Sequence, residues 1–110
     1  MRDYVPMIDK ILDVIVPLVQ PEKIILFGSY ARGDYNENSD IDLLVLKKGL
    51  TNERETSTQI YHNLYHGDVD IVADVEVISM DYDKYFSLIS KIGYIYKTID
   101  KEGKVIYESL

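Results

Sequence analysis

The 110-residue sequence contains no cysteine and no tryptophan, and what it lacks narrows what the chain can do. Without cysteine there is no disulfide, no thiolate metal site and no thiol nucleophile. No apolar run approaches the ~20 residues that a membrane-spanning helix needs, so no membrane segment is predicted. The amino-terminal stretch also lacks the basic start and apolar core of a signal peptide, so a cytoplasmic location is expected.

Basic residues are also scarce. Twelve lysines and arginines face nineteen aspartates and glutamates, which gives a net charge of -7. Proteins that bind along a nucleic-acid backbone usually carry a net positive charge, so stable DNA or RNA binding is not expected for this acidic chain. Most of the acidity serves solubility, although it also suits a metal-nucleotide site or a basic protein partner. Since 46% of the residues are apolar, one domain covering residues 1–110 is predicted.

The most informative stretch of the chain is residues 24–46. An apolar run, 24–27, ends at Gly28-Ser29, and polar residues follow up to the second apolar run, 41–46. Short runs rich in branched and aromatic residues, bounded by Gly, Asn and Asp, are typical of buried strands. The stretch therefore predicts two strands joined by a polar connection.

Two carboxylates, Asp40 and Asp42, stand at the start of the second predicted strand. Alternate side chains of a strand share a face, so the two point the same way, with their Cα atoms about 6.6 Å apart. Ile41 and Leu43 then face the core. Two carboxylates on one face repel each other unless a cation lies between them, and Mg²⁺ prefers such oxygen ligands.

The turn at Gly28-Ser29 adds a candidate phosphate site. Glycine lets the backbone approach a phosphate closely, and serine supplies a hydroxyl donor. Taken alone, a Gly-Ser turn or an Asp-x-Asp strand edge is more often an ordinary structural feature. In this order and at this spacing, the two together indicate metal-assisted phosphoryl or nucleotidyl transfer.

The remaining sequence alternates between helical and extended patterns. This order predicts an α/β (α+β) domain with a small mixed β-sheet and helices packed mainly on one face. The predicted helices cover residues 3–19, 29–32, 51–66 and a region from 82 to about 100 that Gly93 may divide; the predicted strands cover 23–27, 40–46, 68–79 and 104–107.

Chemistry with two metals needs a third carboxylate from a neighbouring strand. Four acidic residues of the third predicted strand compete for this role: Asp68, Asp70, Asp74 and Glu76. If that strand runs parallel to the second, the acid belongs near its beginning, which favours Asp70. An antiparallel strand would require Asp74 or Glu76 instead.

The segments GSYARG and SDIDLLV resemble the signature of the nucleotidyltransferase superfamily that includes DNA polymerase beta. Within it, the short chain is similar to the minimal nucleotidyltransferases, and the likeness in element order extends over nearly the whole sequence. The resemblance implies a polymerase-beta-like nucleotidyltransferase fold. It also implies transfer of AMP from ATP to a hydroxyl group, with two Mg²⁺ ions as cofactors.

The same resemblance assigns roles to particular residues. It implies that Asp40, Asp42 and Asp70 are the catalytic metal ligands, because the family's third aspartate commonly lies in a Val-Asp-hydrophobic-Val context, as in residues 69–72. The nucleotide-binding residues that it implies are Gly28, Ser29, Arg32 and Ser39. For Arg32, contact with a phosphate and pairing with a carboxylate are equally expected.

Minimal nucleotidyltransferases are typically paired with a small helical HEPN-type RNase toxin. The resemblance therefore implies that this chain is the antitoxin and attaches AMP to a tyrosine of that toxin. Two alternatives stay open: an antitoxin that binds nucleotide without catalysis and neutralises by contact, and a transferase acting on a small molecule such as an aminoglycoside.

Overall fold

The computed structural model describes residues 4–67, 71, 73–91 and 94–109, and the side chains of 91, 94 and 95 are not included. The order of elements within these residues is that of the sequence prediction, and the predicted bounds of the first strand and of the short second helix are confirmed. The elements are α1 (Val5–Val19), β1 (Lys23–Phe27), α2 (Ser29–Arg32), β2 (Ile41–Lys47), α3 (Glu53–His66), β3 (Val75–Asp81), α4 (Tyr82–Lys91), α5 (Tyr94–Glu102) and β4 (Lys104–Glu108).

The four strands form one mixed sheet in the order β3-β2-β1-β4. Strand β1 runs antiparallel to both β2 and β4, whereas β2 and β3 are parallel. Because a parallel pair needs a crossover, α3 connects β2 to β3 along one side of the sheet. The predicted small mixed sheet is confirmed.

Helices cover the two faces of the sheet unequally. The larger core lies between the sheet and α1 with α3, as expected for helices packed mainly on one face, and it contains Ile11, Ile15, Ile41, Leu43, Ile60 and Leu64. A smaller core under α4 and α5 contains Ile25, Leu44, Leu46, Met80, Tyr85 and Ile99. Each such buried aliphatic side chain contributes roughly 1.5–3 kcal/mol of transfer free energy, so the fold rests mainly on the α1/α3 side.

Asp81 and Pro17 each bear on a helix boundary. Asp81 caps the start of α4, because its Oδ2 accepts a hydrogen bond from the Lys84 amide at 3.0 Å. That bond, together with one from the Gly49 amide, lowers the pKa of Asp81. Pro17 neither ends nor interrupts α1, which continues to Val19. In the part of the chain that the structure describes, no helix has the length and apolar character needed to cross a bilayer.

The third strand begins later than predicted. Residues 68–79 were expected to be extended, but β3 is Val75–Asp81, and Ile71, Ala73 and Asp74 precede it. Alternating polarity shows which side chains face the core, but not which backbone groups find a partner strand. Strand β2 begins at Ile41, level with Val75, and the last contact of β2 on this side is the hydrogen bond that the Ile41 amide donates to the Asp74 carbonyl at 2.8 Å. Ile71 and Ala73 nevertheless contact the larger core.

Strand β3 lies at the edge of the sheet, and hydroxyl groups of α3 cover that edge. The Val75 amide donates to the Tyr65 hydroxyl at 2.8 Å, and the Val77 amide donates to the Tyr61 hydroxyl at 2.6 Å. The Ser57 hydroxyl, one turn earlier, bonds the Ser79 hydroxyl at 2.8 Å. We call these three contacts the hydroxyl ladder. Its two tyrosine contacts occupy backbone amides of β3 that would otherwise be open to pairing with another chain.

Replacing Tyr61 with phenylalanine should lower the free energy of unfolding by about 1 kcal/mol, because the Val77 amide loses its acceptor while the ring remains. Urea denaturation measures this change. Tyr107→Phe is the matched control, since the Tyr107 hydroxyl has no hydrogen-bond partner among the described residues and its ring is also partly buried. Equal losses in the two variants would contradict a stabilising role for the hydroxyl ladder.

Candidate functional site

One row of side chains crosses three strands at one end of the sheet. Phe27 is level with Asp42, and Asp42 is level with Glu76. Directly opposite residues of neighbouring strands point to the same face. That face is the one packed by α4 and α5, because Leu44 and Leu46 follow Asp42 at alternate positions and lie in the smaller core. Asp40 comes one residue before β2.

Gly28 lies directly against the Asp42 carboxylate. A Cβ atom at Gly28 would collide with Asp42 Oδ2 and lie 3.2 Å from its Cγ. Gly28 also has a φ of +77° and a ψ of -155°, a combination open almost only to glycine. The sequence analysis assigned Gly28 a role in letting the backbone approach a phosphate. The structure adds a second reason for glycine, because any side chain at this position would collide with the Asp42 carboxylate.

Other negative charges act on the Asp42 carboxylate. Partial burial raises its pKa above the usual value, and the charges of Glu76 and Asp40 raise it further. Arg32 acts in the opposite direction but is the weakest of these influences. The ionised form of Asp42 is therefore destabilised in the folded protein, and a bound cation would stabilise it.

The chemistry of these residues fits a hard divalent cation. Asp40, Asp42 and Glu76 offer only carboxylate oxygens, which Mg²⁺ prefers, and such an ion would offset the repulsion that raises the Asp42 pKa. Within the described ranges, no three acidic or histidine side chains converge closely enough to form a metal site. Glu76 and Asp40 thus act on Asp42 through charge, without a shared ligand geometry.

The direction of β3 bears on the choice of the third acid. The strand is parallel to β2, which was the condition that favoured Asp70, but it begins at Val75. The acid level with Asp42 is consequently Glu76, a residue that the sequence reasoning weighed and did not choose. Asp70 lies outside the described residues. The signal that would have identified Glu76 is the register between β2 and β3, which alternation alone does not give.

A cleft of about 200 Å³ opens beside Asp42. Its walls come from the ends of β1 and α2 and from α5; the lining residues are Phe27, Gly28, Arg32, Asp42, Thr98, Ile99 and Glu102. The sequence reasoning did not identify the α5 residues as part of a site. No local pattern marks them, because they reach the cleft only through the packing of α5 over the sheet.

Arg32 pairs with carboxylates on two sides of the cleft mouth. Its Nε lies 3.3 Å from Asp34 Oδ2, and its Nη1 lies 3.8 Å from Glu102 Oε2. Exposed pairs of this kind add little to stability, but they fix the position of the guanidinium. Of the two interpretations of Arg32, carboxylate pairing is the one seen here, and phosphate contact stays a prediction.

The two serines of the predicted nucleotide site have different surroundings. Ser29 begins α2 directly after Gly28 and is partly buried. Ser39 Oγ accepts a hydrogen bond from the Asn36 amide at 2.9 Å, and the Ser39 amide bonds the Asn36 carbonyl. Ser39 therefore stabilises the turn before Asp40. Nucleotide binding by either serine stays a prediction.

Comparison with solved structures supports the fold assignment. A crystal structure of a toxin-antitoxin with AMP-PNP matches at a TM-score of 0.60 and 25% identity, covering 92% of this chain and 73% of that one. The crystal structure of a "putative nucleotidyltransferase" from Sulfolobus solfataricus matches at a TM-score of 0.60 and 20% identity, covering 94% and 82%. The polymerase-beta-like nucleotidyltransferase fold is thus confirmed.

Sequence comparison gives matches that are shorter but higher in sequence identity. "Putative protein adenylyltransferase MJ0141" of Methanocaldococcus jannaschii is 56% identical over 34 residues, which are 31% of this chain and 34% of that protein. The chain thus matches about a third of that relative's length. The family model described as "Nucleotidyltransferase domain" matches residues 8–106, a range that includes Gly28, Asp42 and Glu76. Since that match spans nearly the whole sequence, the chain belongs to the nucleotidyltransferase domain family.

Proposed function

We propose that this chain transfers AMP from ATP to a tyrosine hydroxyl of a HEPN-type RNase toxin, and so acts as the antitoxin of that toxin. The observation that carries the proposal is the Asp42 carboxylate, which lies against Gly28 at the wall of the cleft and is influenced by the charges of Asp40 and Glu76. Phosphoryl and nucleotidyl transfer depend on positioning and charge neutralisation, which such an arrangement supplies.

Asp40, Asp42 and Glu76 are the residues that would hold two Mg²⁺ ions, once their side chains turn towards a common centre that they do not share in this structure. When bound, these ions neutralise phosphate charge and lower the pKa of the acceptor hydroxyl. We place Glu76 in this set in preference to Asp70, because Glu76 is level with Asp42 across the β2–β3 pair. The raised pKa of Asp42 supports the assignment, since burial, its largest cause, and the charges of Glu76 and Asp40 all disfavour the ionised carboxylate that a cation would stabilise.

The nucleotide phosphates lie along the turn that begins at Gly28. Gly28 lets the backbone approach them closely, the Ser29 hydroxyl donates to a phosphate oxygen, and Arg32 adds positive charge at the cleft mouth. In the transfer step the acceptor oxygen forms a bond to the α-phosphorus, while the bond from that phosphorus to pyrophosphate breaks. Helix α5 closes one side of the cleft and limits the access of water there.

The size of the cleft favours a protein acceptor. About 200 Å³ is less than the roughly 300–1,000 Å³ of sites that enclose small molecules. A large acceptor such as an aminoglycoside therefore lacks an enclosing wall, whereas a protein partner brings its own surface. A net charge of -7 suits a basic RNase. The matched solved structure of a toxin-antitoxin with AMP-PNP supports both the nucleotide and the kind of partner.

The test is a transfer assay with ATP labelled at the α-phosphate, Mg²⁺ and lysate of the source cells, read on a denaturing gel. One labelled protein band is expected, with no band from γ-labelled ATP, because AMP and not phosphate is moved. Glu76→Gln should lower the labelling at least about tenfold, and Asp70→Asn should leave it within about twofold, since each decade reflects 1.36 kcal/mol of transition-state stabilisation.

Other outcomes identify the alternatives. Labelling of an added aminoglycoside without any protein partner would replace the proposal with a small-molecule transferase. If the chain neutralises the toxin but no labelled AMP is transferred, the chain is an antitoxin that acts by contact. If Asp70→Asn abolishes labelling while Glu76→Gln does not, the third carboxylate is Asp70.

A further inference from the structure

Three tyrosines from separate segments meet at the larger core. The Tyr30 and Tyr35 rings are stacked, with centroids 4.2 Å apart and 12° between their planes. Tyr4 meets both rings edge-on, at 5.4 Å from Tyr30 and 5.5 Å from Tyr35. We call this group the tyrosine cluster. Tyr30 is only 2% exposed and belongs to the larger core. Tyr4 and Tyr35 therefore pack against a ring that is itself held in the core.

Tyr35 is the aromatic residue of the polar loop that connects α2 to β2, residues 33–40. Its neighbours Asp34, Asn36, Glu37 and Asn38 are exposed, whereas Tyr35 is partly buried against the core. The loop contains a turn, in which the Asn38 amide donates a hydrogen bond to the Asn36 side-chain oxygen at 2.8 Å and the Asn36 amide donates one to Ser39 Oγ.

The loop determines how the two halves of the candidate site are placed. It starts after α2, which carries Ser29 and Arg32, and it ends at Asp40. The 36–39 turn shapes the loop but does not attach it to the core, because its hydrogen bonds stay within the turn. Among the described contacts, the stacking of Tyr35 on Tyr30 and the edge-on contact of Tyr35 with Tyr4 attach the loop to the core. Aromatic stacking of this geometry is favourable beyond its burial of surface.

We propose that Tyr35 is a positioning residue, whose stacking on Tyr30 holds the 33–40 loop and thereby fixes Asp40 relative to Asp42. This inference rests on the proposed function for its catalytic part. It predicts that loss of the ring affects the carboxylate side of the site more than the phosphate side, because Gly28 and Ser29 precede the loop and are anchored by β1 and α2.

The test compares Tyr35→Ala and Tyr35→Phe with the wild type in two measurements. Cleavage after Glu37 by a glutamate-specific protease reports loop attachment without any catalysis. Tyr35→Ala should be cut about tenfold faster than the wild type, and Tyr35→Phe, which keeps the stacked ring, should be cut more slowly than Tyr35→Ala. In the labelled-ATP assay, Tyr35→Ala should lower kcat about 10- to 100-fold and raise the half-saturating Mg²⁺ concentration, with KM for ATP unchanged.

Tyr107→Ala is the matched control, because Tyr107 also packs partly buried against the larger core but lies in β4. It should change neither the cleavage rate nor the Mg²⁺ requirement. If Tyr35→Ala does not fold, Tyr35→Leu replaces it, since leucine keeps apolar bulk without a ring to stack.

Wild-type cleavage and Mg²⁺ dependence in the Tyr35 variant would overturn the proposal, as would equal changes in Tyr107→Ala. If the wild type transfers no AMP at all, the proposed function fails, and the protease measurement still decides whether Tyr35 holds the loop.

Discussion

Replacing Asp42 with asparagine should lower AMP transfer about a thousandfold and leave the fold intact. Asparagine keeps the shape of the side chain beside Gly28 but removes the charge that would bind Mg²⁺. Metal-assisted charge stabilisation contributes several kcal/mol to such reactions, and each 1.36 kcal/mol is a factor of ten in rate. Transfer from α-labelled ATP measures the loss, and Asp13→Asn, an exposed position on α1, is the control.

The same substitution should raise thermal stability at neutral pH. The folded-state pKa of Asp42 lies above its usual value of 3.8, so folding favours the protonated, neutral carboxyl. That stabilisation is present at pH values below 3.8 and is lost as the pH rises through the raised pKa. Asparagine is neutral throughout, so Asp42→Asn should unfold at a higher temperature than the wild type at pH 7 and lose most of this advantage near pH 3.

Two results would contradict this view of Asp42. Transfer within tenfold of the wild type would remove the carboxylate from the chemistry. A lower unfolding temperature at pH 7 would mean that its charge is already compensated in the folded protein. Partner binding is a further measurement: if Asp42→Asn still binds and neutralises the toxin, contact alone is sufficient for the antitoxin role.

Replacing Gly28 with alanine should damage both stability and activity. The new Cβ would collide with Asp42 Oδ2, and the backbone has a conformation that alanine rarely adopts. Relief of the collision moves the carboxylate, and a shift of about 1 Å in a reacting group can cost about a hundredfold in rate. Overpacking adds about 1–3 kcal/mol of destabilisation to the cost of the positive φ.

Gly49 provides a matched control for the backbone effect. Its φ of +76° is nearly that of Gly28, but a Cβ there would meet nothing within 4 Å. Gly49→Ala should therefore lower the free energy of unfolding by about 1–2 kcal/mol, the cost of positive φ, without changing transfer. Urea denaturation and the labelled-ATP assay on both variants separate the two causes. Equal destabilisation in both would exclude the collision with Asp42.

Local sequence signals were sufficient for much of the fold, and they indicated the residues at the centre of the candidate site. The apolar runs predicted β1 and β2 because buried strands need little more than length and composition. The placement of Asp40 and Asp42 on one face followed from strand alternation, and Ile41 and Leu43 are fully buried on the other. These features depend on residues that are close in sequence.

The features that sequence reasoning missed depend on tertiary pairing. The start of β3 and the position of Glu76 follow from the partner strand, because the register with β2 begins at Val75 although the alternation of polarity in the sequence begins earlier. Thr98 and Glu102 reach the cleft only because α5 packs across the end of the sheet. Stacking of Tyr35 on Tyr30 likewise requires the loop to fold back, which its polar composition does not indicate.

The hydroxyl ladder also restricts where the chain can change in length. Four residues of helix advance about 6.0 Å and two residues of strand about 6.6 Å, so successive contacts drift by only about 0.6 Å. Three contacts therefore fit between α3 and β3, from Ser57 to Tyr65. One residue inserted within this stretch would rotate the hydroxyls that follow it by about 100° and separate them from the strand. Insertions and deletions should thus occur in the segments flanking α3, outside the helix.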